Sequence, residues 1–174
     1  DKDFDEVIAE LKYDWQRERT ESNIGNFIAD AQRDAALAHV AFMNTHGIRA
    51  NIGAGALTKR ELFEVLPFRN VLVTFQLNGK QLKDAMLYGL QAGDPLQVSG
   101  LRCSWKRNSN GSAEIVKLEV GGKSVDEKKM YICATSDFMA GQSKKYFGFE
   151  IPQPSFSRVT VFGAVEQAAR KAKV

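Results

Sequence analysis

Histidine and cysteine are scarce in this 174-residue chain: His39, His46, Cys103 and Cys133 are all it has. Two histidines cannot furnish a two-metal phosphoesterase centre, which needs several His and Asp ligands to hold ions about 3.5–4 Å apart. The cysteines lack a metal-binding spacing and read as two buried thiols, with one disulfide as the alternative. Also missing are a Gly-x-x-x-x-Gly-Lys-Ser/Thr phosphate loop, a Gly-x-Gly-x-x-Gly turn, a His-Glu-x-x-His helix and a Gly-x-Ser-x-Gly elbow. These absences argue against the chain being a hydrolase on its own. No apolar run approaches the ~18 residues of a membrane span. The opening Asp1-Lys2-Asp3-Phe4 has neither an initiator Met nor a signal-peptide apolar core, so the chain reads as a mature or excised segment. Lys+Arg 24 against Asp+Glu 21 gives +3 without a block of like charge, which excludes a strong nucleic-acid footprint. The pI of about 8.9 mildly favours an anionic small ligand.

What is present suits one packed domain. Hydrophobic residues make up 44% and charged residues 26%, ordinary for a globular chain and too apolar for disorder. A chain of this length buries about 70% of its unfolded surface and needs no staple. Phe4, Val7, Ile8, Leu11 and Trp15 recur at helical spacing, so residues 1–18 read as an N-terminal helix or connector ahead of a domain over 19–174. Ser22 or Asn23 caps a second helix marked by Ile24, Phe27, Ile28, Ala31 and Ala35, with Gly25 permitting a close approach in its first turn. His39 to Met43 is a short buried strand. Thr58-Lys59-Arg60-Glu61 is a capping box for a short helix that Pro67 stops. Val71, Val73, Phe75 and Leu77 alternate with Leu72, Thr74 and Gln76 as a strand, and Asn78-Gly79 turns into a helix facing inward through Leu82, Ala85, Met86 and Leu90.

Strands follow at 97–106, 113–120 and 130–137, with turns at Asn108 to Gly111 and Gly121-Gly122. An irregular stretch to Phe156 leads to a closing helix marked by Val161, Ala164, Val165, Ala168 and Ala172. Its basic end (Arg170, Lys171, Lys173) suits the helix dipole. Helices mix with a late antiparallel run, so the fold class is α+β.

The stretch from Asn44 to Phe68 offers an amide, an arginine and an aromatic ring just after a scaffold strand, where binding residues concentrate. Those groups suit a phosphorylated, ring-bearing small molecule. Five motifs, in order, carry a resemblance. They are Arg19-Thr20-Glu21-Ser22-Asn23-Ile24-Gly25-Asn26-Phe27-Ile28-Ala29-Asp30-Ala31, Asn44 to Arg49, Leu66-Pro67-Phe68-Arg69-Asn70, Leu96-Gln97-Val98-Ser99-Gly100-Leu101, and Tyr131 to Phe138. Together they resemble the C-terminal domain of the 5'-nucleotidase family, which includes UDP-sugar hydrolases and 2',3'-cyclic-nucleotide phosphodiesterases.

The resemblance implies a mixed sheet with flanking helices. It also implies that this chain is the nucleoside- or nucleotide-binding, specificity half of a two-domain enzyme, not catalytic alone. Two divalent metal ions and the hydrolysis would belong to an N-terminal metallophosphoesterase domain outside this chain, and the whole would be periplasmic or extracellular. Arg49 and Asn44 match ligand contacts of the family. A guanidinium fork fits phosphate oxygens, but Arg49 could instead tie the loop to backbone carbonyls. Arg19 is the nearest match to an upstream arginine, with Arg17 close enough to compete. Phe68 and Phe138 fall on the two aromatic positions that sandwich the base, against a core reading common to any Phe.

The sequence also departs from type. Gln142-Ser143-Lys144-Lys145-Tyr146 stands where the family has Gly-Gly-Asp-Gly-Tyr, so Lys144 replaces an acid that accepts ribose hydroxyl bonds. Thr45 and His46 replace glycines, with His46 either touching ligand contacts or packing the loop. Lys144 thus implies either a ligand with an extra anionic group or a decayed nucleotide pocket. A stand-alone, non-catalytic ligand- or partner-binding module is the alternative function.

Overall fold

A computed structural model describes residues 2–172. The first regular element is the strand β1 (Val7–Leu11), paired antiparallel with β3 (Gly55–Thr58). This overturns the helix expected over 4–15. The physical cause is a register shift between Val7 and Ala9, which turns both Ile8 and Leu11 inward three residues apart and mimics a helical period. Trp15 then makes an isolated antiparallel bridge with Ile52. Ile8, Leu11 and Trp15 all join the buried core, and residues 3–6 are held by Lys59–Asp3, Arg60–Asp5 and a bidentate Arg170–Glu6 pair. The Arg60 and Arg170 hydrogen bonds hold the Asp5 and Glu6 carboxyls below their ordinary range.

Ser22 caps α1 (Asn23–Ala36) by accepting from the Gly25 N–H, as the sequence reads. Its other end stops at Leu37, a leucine with φ 52° that is 87% exposed. A left-handed backbone costs an L-residue about 1–2 kcal/mol, of which glycine's extra chain entropy gives back only part. Leu37→Gly is therefore expected to raise stability by up to about 1 kcal/mol, read as a higher melting temperature. A lower one would show that the exposed leucine is held by contacts of its own.

The central sheet has five strands in the order β10-β4-β9-β2-β5: β2 (Val40–Met43), β4 (Val71–Asn78), β5 (Gln97–Ser99), β9 (Met130–Ser136) and β10 (Ser155–Thr160). β2 and β9 are parallel while the other neighbours are antiparallel, so the sheet is mixed and the fold α+β. Side chains alternate across it. Met43 and Leu72 join a cluster with α1, α2 (Lys59–Val65) and α6 (Val161–Ala172). Phe42, Phe75, Leu77 and Cys133 join a second cluster on the opposite face, with α3 (Gly79–Ala92) and α5 (Ser143–Phe147). Capping boxes start both α2 and α3, at Thr58/Glu61 and Asn78/Gln81.

The strand expected over 97–106 is two strands. Gly100 at φ 76° ends β5 and starts β6 (Leu101–Arg107), which leaves for a second sheet with β7 (Ala113–Val120) and β8 (Lys123–Ser124). The stretch expected to be irregular contains α4 (Asp137–Gly141), capped by the Ser136 hydroxyl, then α5 and the edge strand β10. Two five-residue helices are too short to show a period, and β10 buries none of its side chains. Val161, Ala164 and Val165 of α6 face the core as expected, while Ala172 is exposed and Lys173 lies outside the described residues. Both cysteines are free thiols, Cys133 buried and Cys103 half-buried, so the disulfide alternative falls.

Candidate functional site

Because β2 and β9 run parallel, their C-terminal ends open at the same edge of the sheet, presenting Asn44 from one and Ser136 to Phe138 from the other. β4 is antiparallel to β9, with Leu72 opposite Ser136, so the chain entering β4 arrives there too. The Asp137 carboxylate accepts from the Val71 N–H at 3.2 Å, fixing the segment that carries Phe68 beside the one that carries Phe138. Topology thus brings the segments that carry Asn44, Phe68 and Phe138 to one edge of the sheet.

Asn44 is buried, and its Nδ2 donates to the Tyr146 hydroxyl at 3.5 Å. The Tyr146 ring lies 6.2 Å from the Phe138 ring, and the Lys145 ammonium sits 5.3 Å from the Tyr146 centroid. Burial pushes the Tyr146 phenol up, the charge of Asp94 adds to that, and the Asn44 bond opposes it. Asp94 in turn lies 3.9 Å from His46 Nε2. Phe68 and Phe138 are 51% and 43% exposed, so neither ring is consumed by the core.

Arg49 is exposed and donates one Nη1 to the His46 carbonyl at 3.2 Å, so it ties the loop and still presents its guanidinium to solvent. Arg17 is engaged by the framework, donating to the Ile48 carbonyl through Nη1 and to Asn51 Oδ1 through its backbone N–H. Arg19 is exposed on the adjacent segment. Lys144 sits 3.5 Å from Glu150 with both side chains about three-quarters exposed (74% and 77%), a pair that solvent leaves weak.

Two residues outside the sequence-predicted set organise this edge. Tyr146 links Asn44 to Phe138 across 102 residues of chain, a contact no local pattern announces. Gln97 is the other: it is buried, accepts from the Ser22 N–H, and donates to the Thr20 carbonyl and Thr45 hydroxyl. It therefore ties the segment before α1 to the loop after β2. Gly25 makes room for it, since a Cβ there would fall 2.0 Å from Gln97 Oε1. The close approach read from Gly25 is thus to this amide.

A further cavity is lined by neither Phe68 nor Phe138. It holds about 660 Å³ along β5 and the start of β6, lined by Met86, Leu90, Leu101, Cys103 and Trp105 together with Glu21 and Asn26. The Asn26 amide is already bonded to Glu21, and Gln97 is committed as above. Among the described residues, no group of three or more His, Cys, Asp or Glu side chains could hold a metal ion. Among them, too, no helix is long and apolar enough to cross a membrane.

Residues 7–150 match the family model described as 5'-nucleotidase, C-terminal domain. The chain is 32% identical over 158 residues to the trifunctional nucleotide phosphoesterase protein YfkN of Bacillus subtilis, covering 81% of this chain and 11% of that protein. Its fold matches the 5'-nucleotidase precursor of Thermus thermophilus at a TM-score of 0.84 with 31% identity, covering 97% of this chain and 37% of the other. It also matches the Haemophilus influenzae NAD nucleotidase at a TM-score of 0.79 with 21% identity, over 99% of this chain and 36% of that one, a likeness of fold. The chain belongs to the 5'-nucleotidase C-terminal domain family, and it spans between about a tenth and two-fifths of the length of these three relatives.

Proposed function

We propose that this chain is the nucleoside- or nucleotide-binding specificity domain of a two-domain, metal-dependent nucleotidase-type phosphoester hydrolase, and does not hydrolyse its ligand alone. The observation that carries this reading is the joined set of Asn44, Tyr146 and a half-exposed Phe138 at the open end of two parallel strands, in a chain of this family. Phe68 and Phe138 would hold the base, Arg49 and Arg19 the phosphate, Asn44 a polar atom of the ligand, with Lys144 at the rim. The metal ions fit no residue set described here, so on this reading they and the hydrolytic chemistry belong to a preceding metallophosphoesterase domain. A periplasmic or extracellular site of action rests on the family resemblance and is tested by fractionating cells that express the full reading frame.

Stacking on an aromatic ring is worth about 1–3 kcal/mol per base, so Phe138→Ala or Phe68→Ala should weaken binding roughly tenfold or more. Calorimetric titration of the folded chain with adenosine, AMP and UDP-glucose checks this, alongside an assay for phosphate release with added divalent metal. The expected result is weak binding that either substitution reduces, without phosphate release. Absence of heat with every ligand overturns the binding role, and phosphate release overturns the non-catalytic one. The position of the 660 Å³ cavity away from Phe68 and Phe138 favours a second reading, a stand-alone ligand- or partner-binding module with a degenerate nucleotide pocket. That reading gains if nucleotide titrations are silent in the intact chain.

A further inference from the structure

A second place on the molecule is built to hold a small ligand. The cavity of about 660 Å³ falls within the range of roughly 300–1,000 Å³ usual for small-molecule pockets. It lies where Gly100 passes the chain from the central sheet to the second sheet, so its walls come from β5, β6 and α3. Buried Met86, Leu90, Leu96 and Leu101 make it apolar. Trp105 is its aromatic wall, 39% exposed but held in place: the Arg107 guanidinium lies 5.6 Å from the ring centroid and donates to the Gly111 carbonyl at 2.8 Å. A large ring fastened in this way and left half open has surface to give to a ligand.

The charges on the lining narrow the class of ligand. They are Glu21 and Arg102, one acid and one base, and neither has an ion-pair partner among the described residues. Glu21 Oε1 accepts from the Asn26 amide at 3.0 Å, which leaves Oε2 open. Arg102 stands opposite Glu119 across β6 and β7, but Lys117 holds Glu119 at 2.6 Å. Gln97, buried on the same lining, commits its amide to Ser22, Thr20 and Thr45. We propose that this cavity takes a zwitterionic small molecule with a large apolar or aromatic side chain, the class of the free α-amino acids. The ammonium group answers Glu21, and the carboxylate answers the Arg102 guanidinium, whose fork matches paired oxygens. The side chain packs against Trp105 and Leu101. A neutral ring leaves both charges unanswered, and a ligand with one charge meets a like charge on the same lining.

The test is a calorimetric titration of the folded chain with L-phenylalanine, with phenethylamine, which lacks the carboxylate, and with 3-phenylpropionate, which lacks the ammonium. Glu21 and Arg102 are exposed, so solvent screens each contact and binding is expected to be weak. L-Phenylalanine should still bind about fivefold tighter than either analogue, the worth of one exposed ion pair at the upper end of its range. Arg102→Gln should bring it down to the level of phenethylamine, and Trp105→Ala should weaken all three. Both residues are exposed, so either variant is expected to keep the fold. Iodoacetamide labelling of Cys103, on the cavity wall, should slow when L-phenylalanine is bound. Equal binding of the three, or L-phenylalanine binding that survives both substitutions, overturns the proposal, as does an unchanged labelling rate or silence with all three. None of these outcomes touches the nucleotide reading, which rests on Phe68 and Phe138.

Discussion

Phe147→Ala is expected to lower the unfolding free energy by about 3–5 kcal/mol, the range for emptying a large aromatic site in a core. Phe147 is 1% exposed and its ring centroid lies 5.2 Å from Phe42, 6.0 Å from Phe75 and 6.4 Å from Phe149. Phe42 belongs to β2 and Phe75 to β4, so one ring fastens α5 to two strands of the sheet. The walls of the resulting hole are backbone-bonded strands that cannot collapse into it, which places the cost at the high end. Tyr146 rides on the same five-residue helix, so on the binding role proposed above nucleotide affinity should fall along with stability. A urea melt with an unchanged slope and a shifted midpoint measures the first effect. Phe156, 62% exposed on β10, supplies the contrast: Phe156→Ala should stay within about 0.5 kcal/mol of the parent. Equal losses from the two would refute the role given to α5.

Gly100→Ala should be nearly as damaging, through the backbone. Gly100 turns the chain from β5 of the central sheet into β6 of the second sheet, at φ 76°. A Cβ there would fall 2.1 Å from the His39 carbonyl oxygen, an atom fixed just ahead of β2. A flexible side chain could swing away, but a strand backbone cannot, so the corner must open. The left-handed conformation adds about 1–2 kcal/mol, and with the clash the expected loss exceeds about 3 kcal/mol. Gly121→Ala separates the two causes. Gly121 also has a positive φ, 59°, but meets nothing within 4 Å, so only the conformational cost of about 1–2 kcal/mol applies. Similar melting temperatures for the two variants would rule out the clash. Hydrogen exchange at β5 should report the opening of the corner in Gly100→Ala alone.

Much of the framework is legible because local chemistry and global packing agree there. The caps at Ser22, Thr58 and Asn78 and the inward faces of α1, α3 and α6 follow from a few residues each. β1 is not legible, because its bulge gives a strand the spacing of a helix. α4, α5 and β10 fail for the opposite reason, since each is too short or too exposed to impose a period. The same division holds at the candidate site. Asn44, Phe68 and Phe138 stand at element ends beside polar residues, a pattern visible in one dimension. The roles of Tyr146 and Gln97 depend on contacts across 102 and 75 residues, which exist only once β2, β5 and β9 are aligned. Lys144 illustrates a finer limit: the sequence shows a cation on that loop, while the turn of α5 decides that Lys145 is the one beside the aromatic ring.

The two thiols give the molecule a pair of internal timers. Burial pushes Cys133 up to about 12 and encloses it in the middle of the central sheet, so an alkylating reagent reaches it only when that sheet comes apart. Cys103 lies half-buried in the β6–β7 hairpin on the wall of the cavity, with its thiol raised by burial but reachable in the folded chain. Labelling of Cys133 then times the opening of the sheet carrying Asn44 and Phe138, with Cys103 as the reference thiol of the folded state. Labelling of both at a common rate would mean that the cavity beside Cys103 opens only together with that sheet.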